Sequence, residues 1–183
     1  MISVRKYEAK DFDNVRFVCL NSTGEDYGPV VSEFILHTFC DYYLEHEPEN
    51  CFVVDDDGRA VGYIFCAEDY DSYKEIFDKD YLPLNEHLGE ERYKWAQDST
   101  ILQNKYKAEY PAHMHIDILP DYHRQGWGGK LLTALFDHLR SKGVKGVMLT
   151  AGTENHNAGS FYKKYGFEQL EIYDTDVAFA MKL

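Results

Sequence analysis

Two histidines and an aspartate, His113, His115 and Asp117, alternate in the segment AHMHIDIL. Residues at alternate positions of a β-strand project from the same face, so these three side chains would point the same way. Imidazole and carboxylate groups are ordinary zinc ligands, and they are also groups that carry protons in catalysis. The pattern therefore allows either a metal site or a proton-transfer site.

The metal interpretation has the weaker support. Asp117 would lie about 7 Å farther along the strand than His115, and no other group of histidines or cysteines has metal-binding spacing. The four cysteines are scattered without a CxxC pair, which is typical of free thiols in a reducing compartment. We therefore expect no metal and a cytoplasmic location.

The segment DYHRQGWGGKLL follows the strand directly after Pro120, and its glycines Gly126, Gly128 and Gly129 open a helix. A helix N-terminus exposes unpaired N–H groups and partial positive charge, and glycines let a ligand approach that backbone. With Arg124 and Lys130 nearby, we expect a pyrophosphate site. The spacing matches neither GxGxxG nor GxxxxGK[ST], so hydride transfer and nucleotide hydrolysis lack sequence support.

Hydrophobic periodicity predicts the element order β-α-α-β-β, an insert, then β-α-β-α-β-β. Asp11 is placed to cap the first helix, and a four-residue recurrence from Val30 to Tyr43 predicts the second. Asp57-Gly58 marks a hairpin between the second and third strands. The fold class is α/β (α+β), with a mixed, mostly antiparallel central sheet flanked by helices in a single domain, residues 1–183.

The formal net charge of −13 is unevenly distributed. Residues 1–110 hold twenty-four acidic against eleven basic residues, whereas residues 111–183 are balanced. Within the acidic half, the insert at residues 69–110 carries eight aromatic residues and helical patterns around 85–106. An acidic surface argues against nucleic acid and favours a cationic partner, and no apolar run is long enough for a membrane partner. We expect the insert to form a lid over the acceptor site.

Two segments together resemble the acyl-CoA motifs of the GNAT superfamily of N-acetyltransferases. The first is His123-Arg124-Gln125-Gly126-Trp127-Gly128, and the second runs from Asn155-His156-Asn157-Ala158 to Tyr162, with Gly166-Phe167 behind. The first position is His123, where the family usually has Arg or Gln, so contacts there would differ. HIDIL and the long insert are also similar to the acetyltransferase-like domain of O-GlcNAcases, a subgroup whose activity is in doubt.

The resemblance implies acetyl-CoA as acyl donor. The strand end at 116–119 would separate from the strand at 147–150, and the pantetheine arm would lie in the gap and pair with backbone groups there. The cofactor-binding residues would be Ile118, Leu119, His123, Arg124, Gln125, Gly126, Trp127, Gly128, Gly129, Lys130, Asn155 and Tyr162. Trp127 would serve mainly in packing, and Asn155 would cap a helix besides contacting the cofactor.

The resemblance also implies catalytic roles. Tyr162 would protonate the departing CoA thiolate, although it could instead be a packed aromatic residue. A base must take a proton from the acceptor amine, and Asp117 and His115 are the candidates, with His113 and Glu154 as further sources. Each could equally be an ordinary paired or hydrogen-bonded residue, or water could act as the base.

Two functions follow. The first is an N-acetyltransferase that acetylates a primary amine of a small molecule or peptide by direct attack in a ternary complex, and we expect the acceptor to be cationic. The second is a catalytically inactive domain of the same fold that binds acetyl-CoA or a protein partner. The acceptor, the acyl chain length and the choice between monomer and homodimer stay open.

Overall fold

The described residues form seven strands and eight α-helices. The computed structural model describes residues 1–154 and 156–183, with side chains for all of these except residues 156–158. The strands are β1 Ile2–Lys6, β2 Phe52–Asp56, β3 Arg59–Ala67, β4 Ala112–Ile118, β5 Gly146–Gly152, β6 Glu168–Tyr173 and β7 Asp176–Lys182. The helices are α1 Phe12–Asn21, α2 Gly28–Phe39, α3 Asp41–His46, α4 Tyr70–Ile76, α5 Glu90–Asp98, α6 Ile101–Tyr106, α7 Trp127–Ser141 and α8 His156–Lys164.

The strands form one mixed sheet in the order β1-β2-β3-β4-β5-β7-β6. Neighbouring strands are antiparallel except β4 and β5, which are parallel. The predicted hairpin turn is present, because Asp57 and Gly58 both have positive φ, as a type I′ turn requires. The predicted fold class, a mostly antiparallel sheet flanked by helices, is confirmed.

Each face of the sheet is covered by its own hydrophobic core. On one face, α1 to α4 pack against β3 through buried residues such as Val18, Phe34 and Phe65. On the other face, α7 packs against β1 to β4 through buried residues such as Leu135 and Met114. Strand residues alternate between the two cores, so the histidines and aspartate of β4 belong to the face with α1 to α4.

The predicted second helix is in fact two helices. The chain breaks at Cys40, whose φ of −129° and ψ of −61° are not helical, and α3 then starts at Asp41. Tyr42, Tyr43 and Leu44 are all buried, which one continuous helix on a sheet surface would not allow for three successive residues. Tertiary packing therefore overrides the regular four-residue pattern.

The insert between β3 and β4 is more helical than the sequence pattern indicates. Besides α5 and α6 within the predicted helical part, the structure has α4 at its start, followed by a π-turn at Phe77–Tyr81 and a 3-10 segment at Leu82–Leu88. Its aromatic residues Tyr73 and Phe77 are buried in the core beneath α3, so the insert is anchored to the domain. Across the described residues, no helix has both the length and the apolar character needed to cross a bilayer.

Asp11 does not cap α1 as predicted. Its buried carboxylate instead accepts hydrogen bonds from the Arg5 guanidinium at 2.6 and 2.8 Å and from the Glu8 backbone N–H at 2.9 Å. Burial alone would raise the pKa of Asp11, but the Arg5 and Glu8 hydrogen bonds lower it below its ordinary value. The ion pair joins β1 to the start of α1, and its stabilising effect is lost as the pH falls through the lowered pKa.

We expect Asp11→Ala to lower the free energy of unfolding by about 3 kcal/mol, because it leaves Arg5 without its main partner in a largely buried site. Asp13→Ala removes an exposed acid of the next turn and should change stability by less than about 1 kcal/mol. Urea denaturation at pH 7 measures both values. Equal stability of the two variants would contradict the role of Asp11.

Candidate active site

The parallel strands β4 and β5 separate soon after they meet. Among the described residues their pairing covers only Ala112 with Val147 and His113 with Met148. The Leu119 N–H donates to the Val61 carbonyl at 2.9 Å, so the odd-numbered residues of β4 direct their backbone groups to β3. Ile116 and Ile118 therefore direct theirs towards the gap.

The turn after β4 is shaped by two left-handed residues. Arg124 has a φ of 60° and Gly126 a φ of 85°, and α7 begins at the next residue. A Cβ on Gly126 would meet nothing within 4 Å, so glycine is needed there for its conformation and not for space. The turn leaves the first N–H groups of a fifteen-residue helix exposed beside the gap, as expected for an anion site.

Gly128 and Gly129 have a structural role that the sequence did not indicate. A Cβ on Gly128 would lie 2.9 Å from a ring carbon of Phe161, and one on Gly129 would lie 2.0 Å from the Tyr165 hydroxyl. The space of the missing side chains is therefore filled by the rings of Phe161 on α8 and of Tyr165 directly after it. Both glycines also line the cleft described below, so their contact with a cofactor stays a prediction.

A cleft of about 830 Å³ opens where these elements meet. Its walls are the end of β4, the turn at 122–126, the first residues of α7, the rings of α8 and the end of α1 at Ser22 and Thr23. Arg124 and Lys164 supply positive charge to it. The predicted residues Asp117, Ile118, His123 and Tyr162 also line this cleft, so the structure brings the two sequence motifs together.

Asp117 has the properties of a general base. Burial raises the pKa of its carboxyl to about 6, although a hydrogen bond from the Tyr63 hydroxyl, 2.5 Å from Oδ2, lowers it in part. A carboxylate with a pKa of about 6 is ionised at neutral pH and is still more basic than an ordinary aspartate. It is thus suited to take a proton from an ammonium group.

Tyr162 has the properties of a general acid. It is 9% exposed at the cleft wall, and burial and the nearby Asp117 carboxylate both raise its pKa well above the ordinary value. A tyrosine of this kind stays protonated at neutral pH until a stronger base, such as a thiolate forming in the cleft, accepts its proton.

His115 does not fit the predicted role in proton transfer. The Tyr43 hydroxyl lies 2.9 Å from Nε2 of His113 and 3.1 Å from Nε2 of His115, so it donates to one imidazole and accepts from the other. Burial lowers the pKa of His113 to about 3 and that of His115 to about 4, so both are neutral. The two histidines and Tyr43 form a structural hydrogen-bond network, of which His113 is buried and His115 partly buried, and Glu154 lies in an exposed turn after β5.

The same network occupies the place where a metal would bind, because the tyrosine hydroxyl lies between the two imidazoles. In the part of the chain that the structure describes, no group of three or more His, Cys, Asp or Glu side chains is arranged to hold a metal ion.

Two predicted backbone contacts to the pantetheine arm need correction. The Leu119 N–H donates to the Val61 carbonyl and is not free for a ligand, and the Leu119 carbonyl already accepts one hydrogen bond, from the Tyr122 N–H at 2.9 Å. The His123 imidazole donates to the Ile118 carbonyl at 2.7 Å. A pantetheine amide that paired with this carbonyl would first have to displace His123, which leaves the Ile118 N–H as the group directed at the gap.

The remaining predicted residues mostly build the turn. Gln125 donates from Nε2 to the Asp121 carbonyl at 2.9 Å and accepts from the Trp127 indole at 3.4 Å. Trp127 is buried, as expected for packing, and Lys130 Nζ lies 3.8 Å from its ring centre. The cofactor contact predicted for Asn155 lies outside the described residues.

A second depression, the acidic trough, lies on the other side of β5. It has a volume of about 410 Å³ between α5, the start of α6 and the β6–β7 turn, and it reaches Thr150 of β5. Its walls carry the carboxylates of Glu91, Asp98, Asp174 and Asp176, one lysine, and the rings of Trp95 and Tyr173, which are 57% and 51% exposed.

The trough is on the same face of the sheet as Asp117. Leu149 of β5 points into the core beneath α7, so its neighbours Met148 and Thr150 point to the opposite face of the sheet. Met148 is paired with His113 of β4, which lies on the same face as Asp117. Burial and the neighbouring Asp174 carboxylate both raise the pKa of Asp176. A bound cation would relieve this repulsion.

Sequence reasoning missed the residues that reach the cleft from other parts of the chain. Ser22 and Thr23 come from the end of α1, and Tyr63 of β3 is connected to the cleft through its hydrogen bond to Asp117; none of the three belongs to a motif. Lys164 was within reach of prediction, because it lies two residues after Tyr162 on a helix whose position the second motif implies.

Comparison with known proteins agrees with the family resemblance of the two motifs. The sequence profile of the Acetyltransferase (GNAT) family matches residues 18–167. An uncharacterized N-acetyltransferase of Methanocaldococcus jannaschii is 23% identical over 131 residues, which are 72% of this chain and 44% of the relative. The chain thus matches less than half the length of this curated relative.

Solved structures share the fold over the whole chain. The crystal structure of SsHAT superposes with a TM-score of 0.88 at 27% identity, covering 99% of this chain and 98% of SsHAT. PaiA N-acetyltransferase from Thermoplasma acidophilum, solved in complex with coenzyme A, superposes with a TM-score of 0.66 at 16% identity, covering 100% of this chain and 99% of the other.

We expect Gly129→Ala to destabilise the protein by about 1–3 kcal/mol, because the new methyl group would overlap the Tyr165 ring. Gly152→Ala is the control, since a Cβ there meets nothing within 4 Å and the backbone needs no glycine. Thermal unfolding measures both, and adding Tyr165→Leu to Gly129→Ala should recover part of the loss. A fully stable Gly129→Ala variant would contradict the packing described.

Proposed function

The chain belongs to the Acetyltransferase (GNAT) family, and from this premise we propose that it transfers acetyl from acetyl-CoA to the primary amine of a small molecule or peptide. The observation that carries the proposal is the meeting of a partly buried carboxylate with a pKa of about 6 and a buried tyrosine in one cleft beside a helix N-terminus. The two groups supply the base and the acid that amine acetylation needs.

The residues of the cleft fit an acyl-CoA. The exposed helix start, Arg124 and Lys164 would hold the pyrophosphate, and the gap between β4 and β5 would receive the pantetheine arm. The Ile118 N–H would polarise the thioester carbonyl as a single hydrogen-bond donor. PaiA N-acetyltransferase, which was solved with coenzyme A, has the same fold and supports this placement.

The chemistry requires four proton movements. Asp117 takes a proton from the acceptor ammonium, and the free amine forms the new C–N bond at the acetyl carbon. Tyr162 gives its proton to the sulfur as the C–S bond breaks. The amine nitrogen then loses a second proton, which returns to Tyr162, and Asp117 releases its proton to solvent. The products are the amide and the CoA thiol.

The acceptor would approach from the face of the acidic trough and carry an additional positive charge. Four carboxylates against one lysine give the trough a negative potential, and the exposed rings of Trp95 and Tyr173 offer faces to a cation. The insert would form one wall of this acceptor site through α5 and α6.

We expect Tyr162→Phe to lower kcat by about 10²-fold while the affinity for CoA changes less than about threefold, because only the transition state uses the phenolic proton. Steady-state release of CoA and calorimetric binding of CoA measure the two quantities.

Wild-type protein that binds acetyl-CoA but releases no CoA with any member of a broad amine panel would contradict acetyl transfer. That result would support the alternative, an inactive acyl-CoA-binding domain, since the family and fold are compatible with both functions. Loss of CoA binding in Tyr162→Phe would instead indicate a packing role for the ring.

We expect the double variant Asp174→Asn/Asp176→Asn to raise KM for a diamine at least about fivefold, because one to two charge contacts are lost. KM for acetyl-CoA and KM for an uncharged-tail monoamine should stay the same. Asp137→Asn, an exposed acid on α7, is the matched control. Equal KM values for the diamine in all variants would rule out the trough as the cation site.

A further inference from the structure

Tyr63 is a buried residue that no sequence motif indicates and that contacts the candidate base directly. It lies on β3 opposite Asp117 of β4, is 2% exposed, and places its hydroxyl 2.5 Å from Asp117 Oδ2. Since an ionised carboxylate has no proton to give, the tyrosine O–H donates. Hydrogen bonds of this kind, to a charged group, are among the strong ones in proteins.

The position of the Tyr63 hydroxyl is fixed by the core. Its ring stacks on Phe65, with 4.4 Å between the ring centres and 6° between the planes, and Phe65 stacks in turn on Tyr43 at 4.5 Å. All three rings are buried, so Tyr63 has no room for another rotamer. The orientation of the Asp117 carboxylate is therefore fixed by Tyr63, which a rigid aromatic stack holds in place.

Several groups face Asp117 from the surrounding elements. Besides Tyr63 on β3, they are Ser22 at the end of α1, His123 in the turn, Tyr162 on α8, and His115 on its own strand. Burial raises the pKa of Asp117, and Tyr63, Ser22 and His123 each lower it, with Tyr63 acting most strongly of the three. His115 is neutral and bonded to Tyr43, so it contributes no charge.

We propose that Tyr63 is the positioning residue of the general base, Asp117. Its hydroxyl holds Oδ2 of Asp117 towards β3, so that Oδ1 receives the proton of the acceptor. This inference rests on the proposed acetyl transfer. Tyr63 makes no contact with the reacting atoms, and it acts only through Asp117. Its hydroxyl keeps the carboxylate ionised at neutral pH in a site whose burial would otherwise favour the protonated form.

The test is Tyr63→Phe, which removes one hydroxyl from a packed ring. The acidic limb of kcat against pH should move up by about 1–2 pH units, as expected for the loss of a hydrogen bond to a charged group. At pH 7 this corresponds to a loss of about two- to tenfold in kcat, with KM for acetyl-CoA unchanged.

Tyr81→Phe is the matched control. Tyr81 also lies buried on the same side of the sheet, and its hydroxyl donates to Glu45 Oε2 at the same distance of 2.5 Å. Loss of that bond should leave the acidic limb where it is. In an Asp117→Asn background, Tyr63→Phe should have no further effect on the pH profile, because the group through which it acts is gone.

A titration without turnover separates this inference from the proposed function. The carboxyl carbon of Asp117 in ¹³C-labelled protein reports its pKa by NMR, and that pKa should rise in Tyr63→Phe and stay unchanged in Tyr81→Phe. An unshifted NMR pKa, or an unshifted acidic limb in an active enzyme, would overturn the positioning role. A shifted NMR pKa in a protein without turnover would instead refute the proposed function and leave Tyr63 as a structural partner of Asp117.

Discussion

The separation of β4 from β5 after two residue pairs is the constraint from which the site follows. Interior strands normally satisfy their backbone groups through both neighbours, and buried groups without partners are costly. Here the even-numbered residues at the end of β4 face a gap, and one of their carbonyls is satisfied by the His123 imidazole. The turn, α7 and α8 all pack around the opening, and Asp117 and Tyr162 meet at it.

The fold also separates charge between the two faces of the sheet. Arg124 and Lys164 line the cleft beside α7 and α8, whereas the acidic trough lies against the insert on the opposite face. Two of the trough carboxylates, Glu91 and Asp98, belong to the acidic residues 1–110, whereas Asp174 and Asp176 come from the β6–β7 turn. The cleft and the trough therefore differ in the sign of their charge, and each favours ligands of the opposite sign.

Local patterns were sufficient to predict the elements and the two motifs. Alternation placed His113, His115 and Asp117 on one face of β4, and the Asp57-Gly58 pair marked the hairpin between β2 and β3. Both features depend on neighbours in the chain. Contacts between distant segments gave no local signal. The break at Cys40, the Arg5–Asp11 ion pair and the Tyr43 bridge between two imidazoles all depend on packing across the sheet.

The same distinction explains the errors in the predicted site. The pattern identified a histidine near the cleft, but only the position of Tyr43 shows that His115 is committed to the core. Tyr63 is the opposite case, a residue near the site that the sequence does not indicate. Its sequence context is that of an ordinary strand residue, and its contact with Asp117 forms only when β3 pairs with β4.

The contact between Gly129 and Tyr165 has a consequence for how such proteins diverge. The ring fills the volume that a side chain at position 129 would occupy, so Tyr165 fits there only because position 129 has no side chain. The glycine-rich turn and the end of the second motif are therefore coupled through a shared volume, independently of any ligand. A larger residue at 129 would need a smaller one at 165, so the two positions are expected to change together.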